Sequence, residues 1–343
     1  MQVVTSNVGD NSMFRKAEKR QAKLRLALCG PSGSGKTYSA LLIAQGLAPG
    51  GKIALIDTER GSGELYADLT AYDVAPLEPP YTPGRYIEII KAAESAGYDV
   101  LIIDSLSHAW TGDGGVLDMH DKATAASRSG NSFAAWREVT PKHNALVDTI
   151  IGVGLHVVVT MRTKTAYDMV DDGKGGKKPI KIGLSPIQRD GMEYEFTTVV
   201  DLSVDNHIAT ATKDRTRLFD GEHFVPTAAT GAALRDWLTA GKDPVAESKR
   251  TLKALKASAT RIASVPELET WWRSHSAEIG LLTPPDRETL TGHCAARKLA
   301  ILESSAKASA AEASKEPEEA PKRRGNGEDR HAAGIDALKA ATL

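Results

Sequence analysis

A glycine-rich turn between an apolar run and a helix-compatible stretch is the most constraining feature of this chain. Residues 30–37 read Gly-Pro-Ser-Gly-Ser-Gly-Lys-Thr; the apolar run 24–29 precedes them, and the helix-compatible stretch 37–47 follows. In this context the glycines let successive backbone N–H groups surround phosphate oxygens, and the helix start adds partial positive charge. We therefore predict that a nucleoside triphosphate binds at Gly30, Pro31, Ser32, Gly33, Ser34, Gly35, Lys36 and Thr37.

Length and composition limit the size of the core and the classes of partner. A chain of 343 residues, 41% of them hydrophobic, can bury one large core and a small second one. Its net charge of −1 gives no overall signal for a nucleic acid or a membrane surface, so any such contact must come from a local patch. The two cysteines, Cys29 and Cys294, offer no disulfide framework, and no apolar run has the length of a membrane span. These features predict a soluble protein of a reducing compartment that does not bind membranes.

The order of apolar runs predicts the fold class. Strand-like runs alternate with helix-compatible stretches, and the first four runs are continuously apolar, as in parallel strands covered on both faces. Helices are expected at 83–97, opened by Thr82 and Pro83, and at 133–151, with a break near Pro141. We predict a doubly wound α/β core with a mainly parallel sheet, closed by an antiparallel edge hairpin. The six runs are 24–29, 52–57, 99–104, 155–161, 196–204 and 207–213.

Changes in composition along the chain predict its domain organisation. Residues 1–23 become basic and are interpreted as a solvated leading helix, although a nucleic-acid or subunit contact remains an alternative. The core is expected at 24–242, and residues 164–185 insert a hairpin with a glycine- and lysine-rich tip. Helical spacing predicts a small helical appendage at 243–304. The Ala-, Ser-, Glu- and Lys-rich segment 305–343 is predicted to be a disordered tail.

Two acids that end apolar strands are candidates for hydrolysis. Asp104 closes the strand Val-Leu-Ile-Ile-Asp, so it is expected in the Mg²⁺ sphere with Thr37. Glu59 follows a second strand that ends in acids, at the edge where ligands gather in open α/β sheets. A carboxylate there can orient the attacking water. Spacing alone does not separate this role from that of an ordinary solvated acid.

Lys213 and Arg215 lie two residues apart on the last strand of the core, so their side chains point the same way. They are far in sequence from the phosphate-binding turn. They could reach the γ-phosphate bound by a neighbouring subunit, or they could be charges that protect a sheet edge from aggregation. The segment 212–215 does not match the guanine-reading motif of GTPases, because its acid stands one position early.

The core from residue 24 to about 220 resembles RecA-like ATPases, and in particular the phage recombination ATPases of the Sak group, which support single-strand annealing. The segments that carry the resemblance follow in the family's order. The first and third are shared by many ATPases, whereas the second and last are more specific. They are 30–37, 55–62 (Leu-Ile-Asp-Thr-Glu-Arg-Gly-Ser), 100–105, 157–162 and 181–196.

The resemblance implies roles for individual residues. It implies an ATPase in which Glu59 is the catalytic glutamate and Lys213 and Arg215 reach the adjacent subunit's nucleotide in a ring or filament. The family's usual γ-phosphate-sensing glutamine is absent. Since Met161 cannot hydrogen-bond to a phosphate, either Thr160 or Arg162 takes that role, or the coupling between ATP and DNA differs from that of the family. The basic hairpin would bind single-stranded DNA through Lys174, Lys177, Lys178 and Lys181.

We therefore predict an ATP- and Mg²⁺-dependent, RecA-like ATPase that acts on single-stranded DNA in phage-type recombination or annealing, in the cytoplasm of the host if the chain is phage-encoded. The C-terminal region is a candidate contact for single-strand-binding or annealing proteins. One alternative is a hexameric, helicase-like DNA motor. Another is a nucleotide-gated recruiter of recombination or replication partners that hydrolyses almost nothing, although the acids Glu59 and Asp104 disfavour it. A small-molecule kinase is disfavoured, because 164–187 contains no arginine for a lid.

Overall fold

A mainly parallel β-sheet organises the first part of the molecule. The computed structural model describes residues 16–127, 130–171 and 177–313, without the side chains of 166–171, 177–182 and 308–313. Within these residues the sheet has the order β3-β2-β4-β5-β1-β7-β8-β9, and β6 pairs with β5 alone. The strands are β1 (Arg25–Gly30), β2 (Ile53–Asp57), β3 (Asp73–Pro76), β4 (Val100–Asp104), β5 (His156–Asp171), β6 (Lys177–Pro186), β7 (Thr198–Leu202), β8 (Ala209–Asp214) and β9 (His223–Phe224).

The pairing confirms the predicted doubly wound α/β fold. The six neighbouring strands β3, β2, β4, β5, β1 and β7 pair in parallel. The pairs β7–β8 and β8–β9 are antiparallel. The predicted β7–β8 hairpin therefore forms, and the short β9 covers its outer side. The long β5 continues past the sheet and pairs antiparallel with β6, which confirms the predicted hairpin insertion in its described backbone.

Alternate residues of β1 explain why this strand is central. Ala27 and Cys29 enter one apolar cluster, whereas Leu26 and Leu28 enter another on the opposite face of the sheet. A strand that is buried on both faces needs an apolar residue at nearly every position, which is the pattern seen in the sequence. The glycine-rich turn consequently leaves the sheet from its most buried strand.

The helices of the first unit cover this sheet. They are α1 (Lys36–Leu47), α2 (Pro83–Ser95), α3 (His108–Thr111), α4 (Val116–Ala126), α5 (Ser132–Gly152) and α6 (Ala228–Thr239). Helix α2 begins as predicted, with Thr82 as its N-cap and Pro83 as its first residue. Two glycines let α1 and α6 touch: a Cβ on Gly46 would lie 1.8 Å from the Ala228 carbonyl oxygen, and one on Gly231 would lie 2.0 Å from that of Ile43. Helix α6 thus fixes the helix that begins in the glycine-rich turn.

Two local predictions were wrong. Helix α5 runs without a break through Pro141. Pro141 is exposed, so water can bond to the Arg137 carbonyl that loses its N–H partner. Residues 16–23 do not form the predicted leading helix, because their backbone bonds to the segment after α6: the Gln21 N–H donates to the Lys242 carbonyl (2.9 Å), and the Lys242 N–H donates to that of Lys19 (3.0 Å). Residues 1–15 lie outside the described part of the chain.

The chain divides into two compact units between Pro244 and Val245, close to the expected boundary at 242. The second unit contains α7 (Pro244–Thr260), α8 (Val265–Ser274), α9 (Ser276–Gly280) and α10 (Pro284–Ala313) around its own small apolar cluster. Helix α10 continues past residue 305, where the tail was predicted to start, so that boundary was wrong; residues 314–343 lie outside the described residues. Among the described helices, none combines the length and the apolar character needed to cross a bilayer.

Candidate functional site: a phosphate-binding loop at the carboxyl edge of the sheet

The glycine-rich turn joins β1 to α1 at the carboxyl end of the sheet. Gly33 and Gly35 have φ angles of +80° and +84°, which other residues rarely adopt. The Lys36 Nζ bends back over the turn and donates to the carbonyl oxygens of Gly30 (3.0 Å) and Pro31 (2.8 Å). Burial lowers the pKa of Lys36, so its ammonium is already partly stripped of water. Ser32 is exposed on the outer side of the turn, whereas Ser34 is fully buried.

Three predicted residues meet at the end of β4. The Thr37 Oγ1 donates to Oδ2 of Asp104 at 2.5 Å, and the Thr160 Oγ1 donates to Oδ1 at 2.5 Å. Asp104 is only 2% exposed, and this burial raises the pKa of its carboxyl group, while the two hydroxyl bonds lower it. A carboxylate and a hydroxyl oxygen side by side are the kind of ligands that Mg²⁺ prefers, so Thr37 and Asp104 fit a magnesium site.

Glu59 and Arg162 also meet at this edge. The Arg162 Nε donates to Oε1 of Glu59 at 3.0 Å, and Nη2 donates to the other carboxylate oxygen. The Arg162 N–H donates to Oγ of Ser107 at 2.9 Å, which fixes this part of β5 to the segment after β4. Met161 is 1% exposed and lies in the apolar core, in agreement with its exclusion as a phosphate sensor.

A set of residues that sequence reasoning did not assign holds the Glu59 segment in place. The Asp57 carboxylate accepts hydrogen bonds from the N–H groups of Glu59 (2.6 Å) and Gly61 (2.7 Å). The Thr58 Oγ1 lies 2.7 Å from Nδ1 of His108, whose ring stacks on Tyr81. The role of Asp57 could have been predicted from its position two residues before Glu59. An aspartate in a turn often accepts a hydrogen bond from the backbone N–H two residues later. His108 gave no comparable signal.

This geometry agrees with comparisons to known proteins. The family described as "AAA domain" matches residues 22–232. The chain belongs to the AAA domain family. Over 82 residues it is also 38% identical to Protein RecA of Thermus aquaticus, an alignment that covers 23% of this chain and 24% of that protein. The chain thus spans about a quarter of the length of the curated relative that it matches. Its AAA domain is an ATPase core of the RecA-like, P-loop class, as the resemblance implied.

Lys213 and Arg215 lie apart from the phosphate-binding loop of their own AAA domain. The Lys213 Nζ donates to the carbonyl oxygens of Glu193 (2.9 Å) and Tyr194 (2.6 Å), and Nη2 of Arg215 donates to that of Tyr194 at 3.0 Å. The Arg215 N–H bonds to the Thr197 carbonyl, next to the amino end of β7. Because β7 runs parallel to β1, this is the edge of the sheet opposite the loop. The two side chains point the same way, as predicted, since both donate to the Tyr194 carbonyl. Within one copy of the chain, they do not reach the phosphate-binding loop.

The predicted DNA-contacting lysines fall in or near the tip of the β5–β6 hairpin. The described backbone pairs residues 163–171 with 177–186, so Lys177, Lys178 and Lys181 stand on β6. Their side chains, and all of Lys174, lie outside the described residues. The assignment of these lysines to single-stranded DNA therefore stays a prediction.

Two tyrosines beside the loop were also missed. Tyr38 directly follows Thr37, is 42% exposed, and meets the ring of Tyr66 edge to face at 5.7 Å. The pair places an exposed aromatic ring next to the start of α1. The position of Tyr38, one residue after the motif, was the available signal; the approach of Tyr66 depends on the fold.

Proposed function

We propose that this AAA domain protein is a RecA-like recombination ATPase that hydrolyses Mg²⁺-ATP and acts on single-stranded DNA in phage-type recombination or annealing, as proteins of the Sak group do. The observation that carries the proposal is the convergence of a lysine-bearing loop, a hydrogen-bonded Thr37–Asp104 pair and a Glu59 carboxylate at one edge of the sheet. These are the groups that phosphoryl transfer needs for charge neutralisation, metal binding and orientation of water.

Each residue has a definite task in this site. Lys36 exchanges the carbonyls of Gly30 and Pro31 for phosphate oxygens, and its partial desolvation strengthens that attraction. Thr37 and Asp104 would hold Mg²⁺, which when bound neutralises charge on the transferred phosphoryl group. Glu59 orients the attacking water and accepts its proton once Arg162 turns from Glu59 to the outer phosphate. Thr160 keeps the Asp104 carboxylate in place.

The position of Lys213 and Arg215 supports a site shared between copies. Both cations lie at the sheet edge opposite their own loop, so a nucleotide that they contact would be one bound by another molecule. Head-to-tail contacts of this kind build rings or filaments. In such an assembly each nucleotide would receive Lys36 from one copy and Arg215 from the next.

Single-stranded DNA would be held by the basic hairpin. Lysine side chains bind backbone phosphates without reading bases, so the affinity should fall steeply with salt. Binding of single-strand-binding or annealing proteins by the C-terminal helical unit, and a place in the host cytoplasm, are part of the same proposal.

Steady-state ATP turnover with and without single-stranded DNA tests this function. We expect wild-type turnover to rise with DNA, Lys36→Ala to abolish it, and Glu59→Gln to bind ATP without hydrolysis. Replacement of Lys174, Lys177, Lys178 and Lys181 by serine should remove the stimulation and flatten the salt dependence of DNA affinity, while basal turnover stays. Absence of turnover in the wild type would favour the recruiter, and directional unwinding of a forked duplex would favour the helicase-like motor.

A further inference from the structure

The turn between β7 and β8 carries an unusual residue. Asn206 and His207 both have left-handed backbones, with φ angles of 55° and 53°. The Ser203 N–H donates to the Ile208 carbonyl at 2.9 Å, which closes the hairpin around them. Two-residue turns with two positive φ angles favour Asn followed by Gly, since a Cβ at the second position is strained. A histidine kept where glycine would be easier points to a use for its side chain.

The imidazole of His207 lies against Gly35 of the phosphate-binding loop. A Cβ added to Gly35 would lie 3.1 Å from Nδ1 and 3.5 Å from Cγ of His207, so the ring occupies the space beside this glycine. Gly33, the other loop glycine with positive φ, would have nothing within 4 Å of such a Cβ, so the coverage is specific to one side of the loop. The His207 ring makes no hydrogen bond or ion pair with any residue that the structure describes, so its ring nitrogens remain available to a ligand.

From this geometry we propose that His207 is a nucleotide-binding residue, whose ring N–H donates a hydrogen bond to a phosphate oxygen of the triphosphate held by the loop. The inference rests on the proposed ATP site. It adds His207 to the loop and to the Thr37–Asp104 pair as a further group that contacts the bound nucleotide. A donor placed beside a multiply charged anion forms a charge-assisted bond, which is stronger than a neutral one. The strain of the turn is then offset when the nucleotide is bound.

Calorimetric titration of Mg²⁺-ATP into the full chain tests this role. His207→Gly removes the ring and relaxes the turn, so we expect an affinity about tenfold lower with a melting temperature that does not fall. His207→Gln keeps an N–H donor and should restore part of the affinity. Asn206→Gly is the matched control, because it relaxes the neighbouring position of the same turn without touching the ring, and its affinity should equal that of the wild type.

The outcomes separate this inference from the proposed function. If the wild type binds ATP, Lys36→Ala loses it, and His207→Gly binds as tightly as the wild type or more tightly, His207 is not a ligand contact and the inference is overturned. A weaker affinity that His207→Gln does not improve and that Asn206→Gly shares would also overturn it, since the turn and not the donor would matter. If the wild type itself does not bind ATP, the proposed function fails first.

Discussion

The guanidinium of Arg162 holds the carboxylate of Glu59 in a two-point ion pair between β5 and the segment that follows β2. The pair joins the residue proposed to activate water to a residue proposed to sense the outer phosphate. As long as the pair is closed, both carboxylate oxygens of Glu59 are hydrogen-bonded to Arg162. Binding of the triphosphate could therefore open the pair and release the base in one movement.

A double-mutant cycle with Glu59→Gln and Arg162→Gln tests this coupling. The side chains are 24% and 45% exposed, so we expect their coupling in the free energy of unfolding to stay below about 1 kcal/mol. In ATP turnover the double variant should be no slower than Glu59→Gln alone, because each change disables the same step. Chemical denaturation and steady-state turnover of the four proteins measure both quantities. Additive effects on turnover would show that the two residues act independently.

Asp104 provides a test that separates function from stability. Its burial raises the pKa of the carboxyl group, which means that the fold bears a cost for the charged form. Asp104→Asn removes the charge but can keep hydrogen bonds with Thr37 and Thr160, so the nucleotide-free protein should gain up to about 1 kcal/mol. Turnover should fall at least about a hundredfold, because the amide is a poor magnesium ligand. A combined loss of stability and turnover would contradict this assignment.

The acid sensitivity of the fold should depend on His156. Burial lowers the pKa of His156 from 6.5 to about 4, and its Nδ1 must stay unprotonated to accept the Leu24 N–H at 3.0 Å. The unfolded chain therefore binds a proton first as the pH falls. The stabilisation from this histidine is complete above pH 6.5 and is lost between about pH 6.5 and 4.

We expect this single group to account for up to about 3 kcal/mol of acid destabilisation. His156→Asn keeps an acceptor near the same place and cannot titrate, so the slope of unfolding free energy against pH should be smaller than in the wild type. Denaturation curves between pH 7 and pH 4 measure the slope. Burial also lowers the pKa of His143 to about 4, so this histidine contributes to the slope that remains. Equal slopes in the two proteins would mean that His156 does not titrate in this range.

The sequence predicted those parts of the fold and site that depend on local pattern. The apolar runs predicted β1, β2, β4, β5, β7 and β8, and runs that end in polar residues at one sheet edge predicted the loop and the meeting of Thr37 with Asp104. The short β3 and β9 match none of the predicted runs. The ion pair of Glu59 with Arg162 could not be predicted from local pattern. Strand β4 lies between β2 and β5, so the contact depends on how the sheet is assembled. The position of His207 over Gly35 likewise depends on how β7 lies beside β1. The helix break predicted at Pro141 was wrong because this residue is exposed to water. The helix predicted in residues 16–23 was wrong because tertiary hydrogen bonds outweigh the local helix propensity of this segment.

A mixing experiment tests the shared site most directly. Lys36→Ala removes the lysine of the loop, and Arg215→Ala removes the cation proposed to reach the neighbouring nucleotide, so each variant alone should be nearly inactive. In a one-to-one mixture about a quarter of head-to-tail junctions combine an intact loop with an intact Arg215. We predict that ATP turnover of the mixture clearly exceeds the sum of the two separate variants. If turnover stays at that sum at every mixing ratio, the nucleotide is not shared between copies and the account is contradicted.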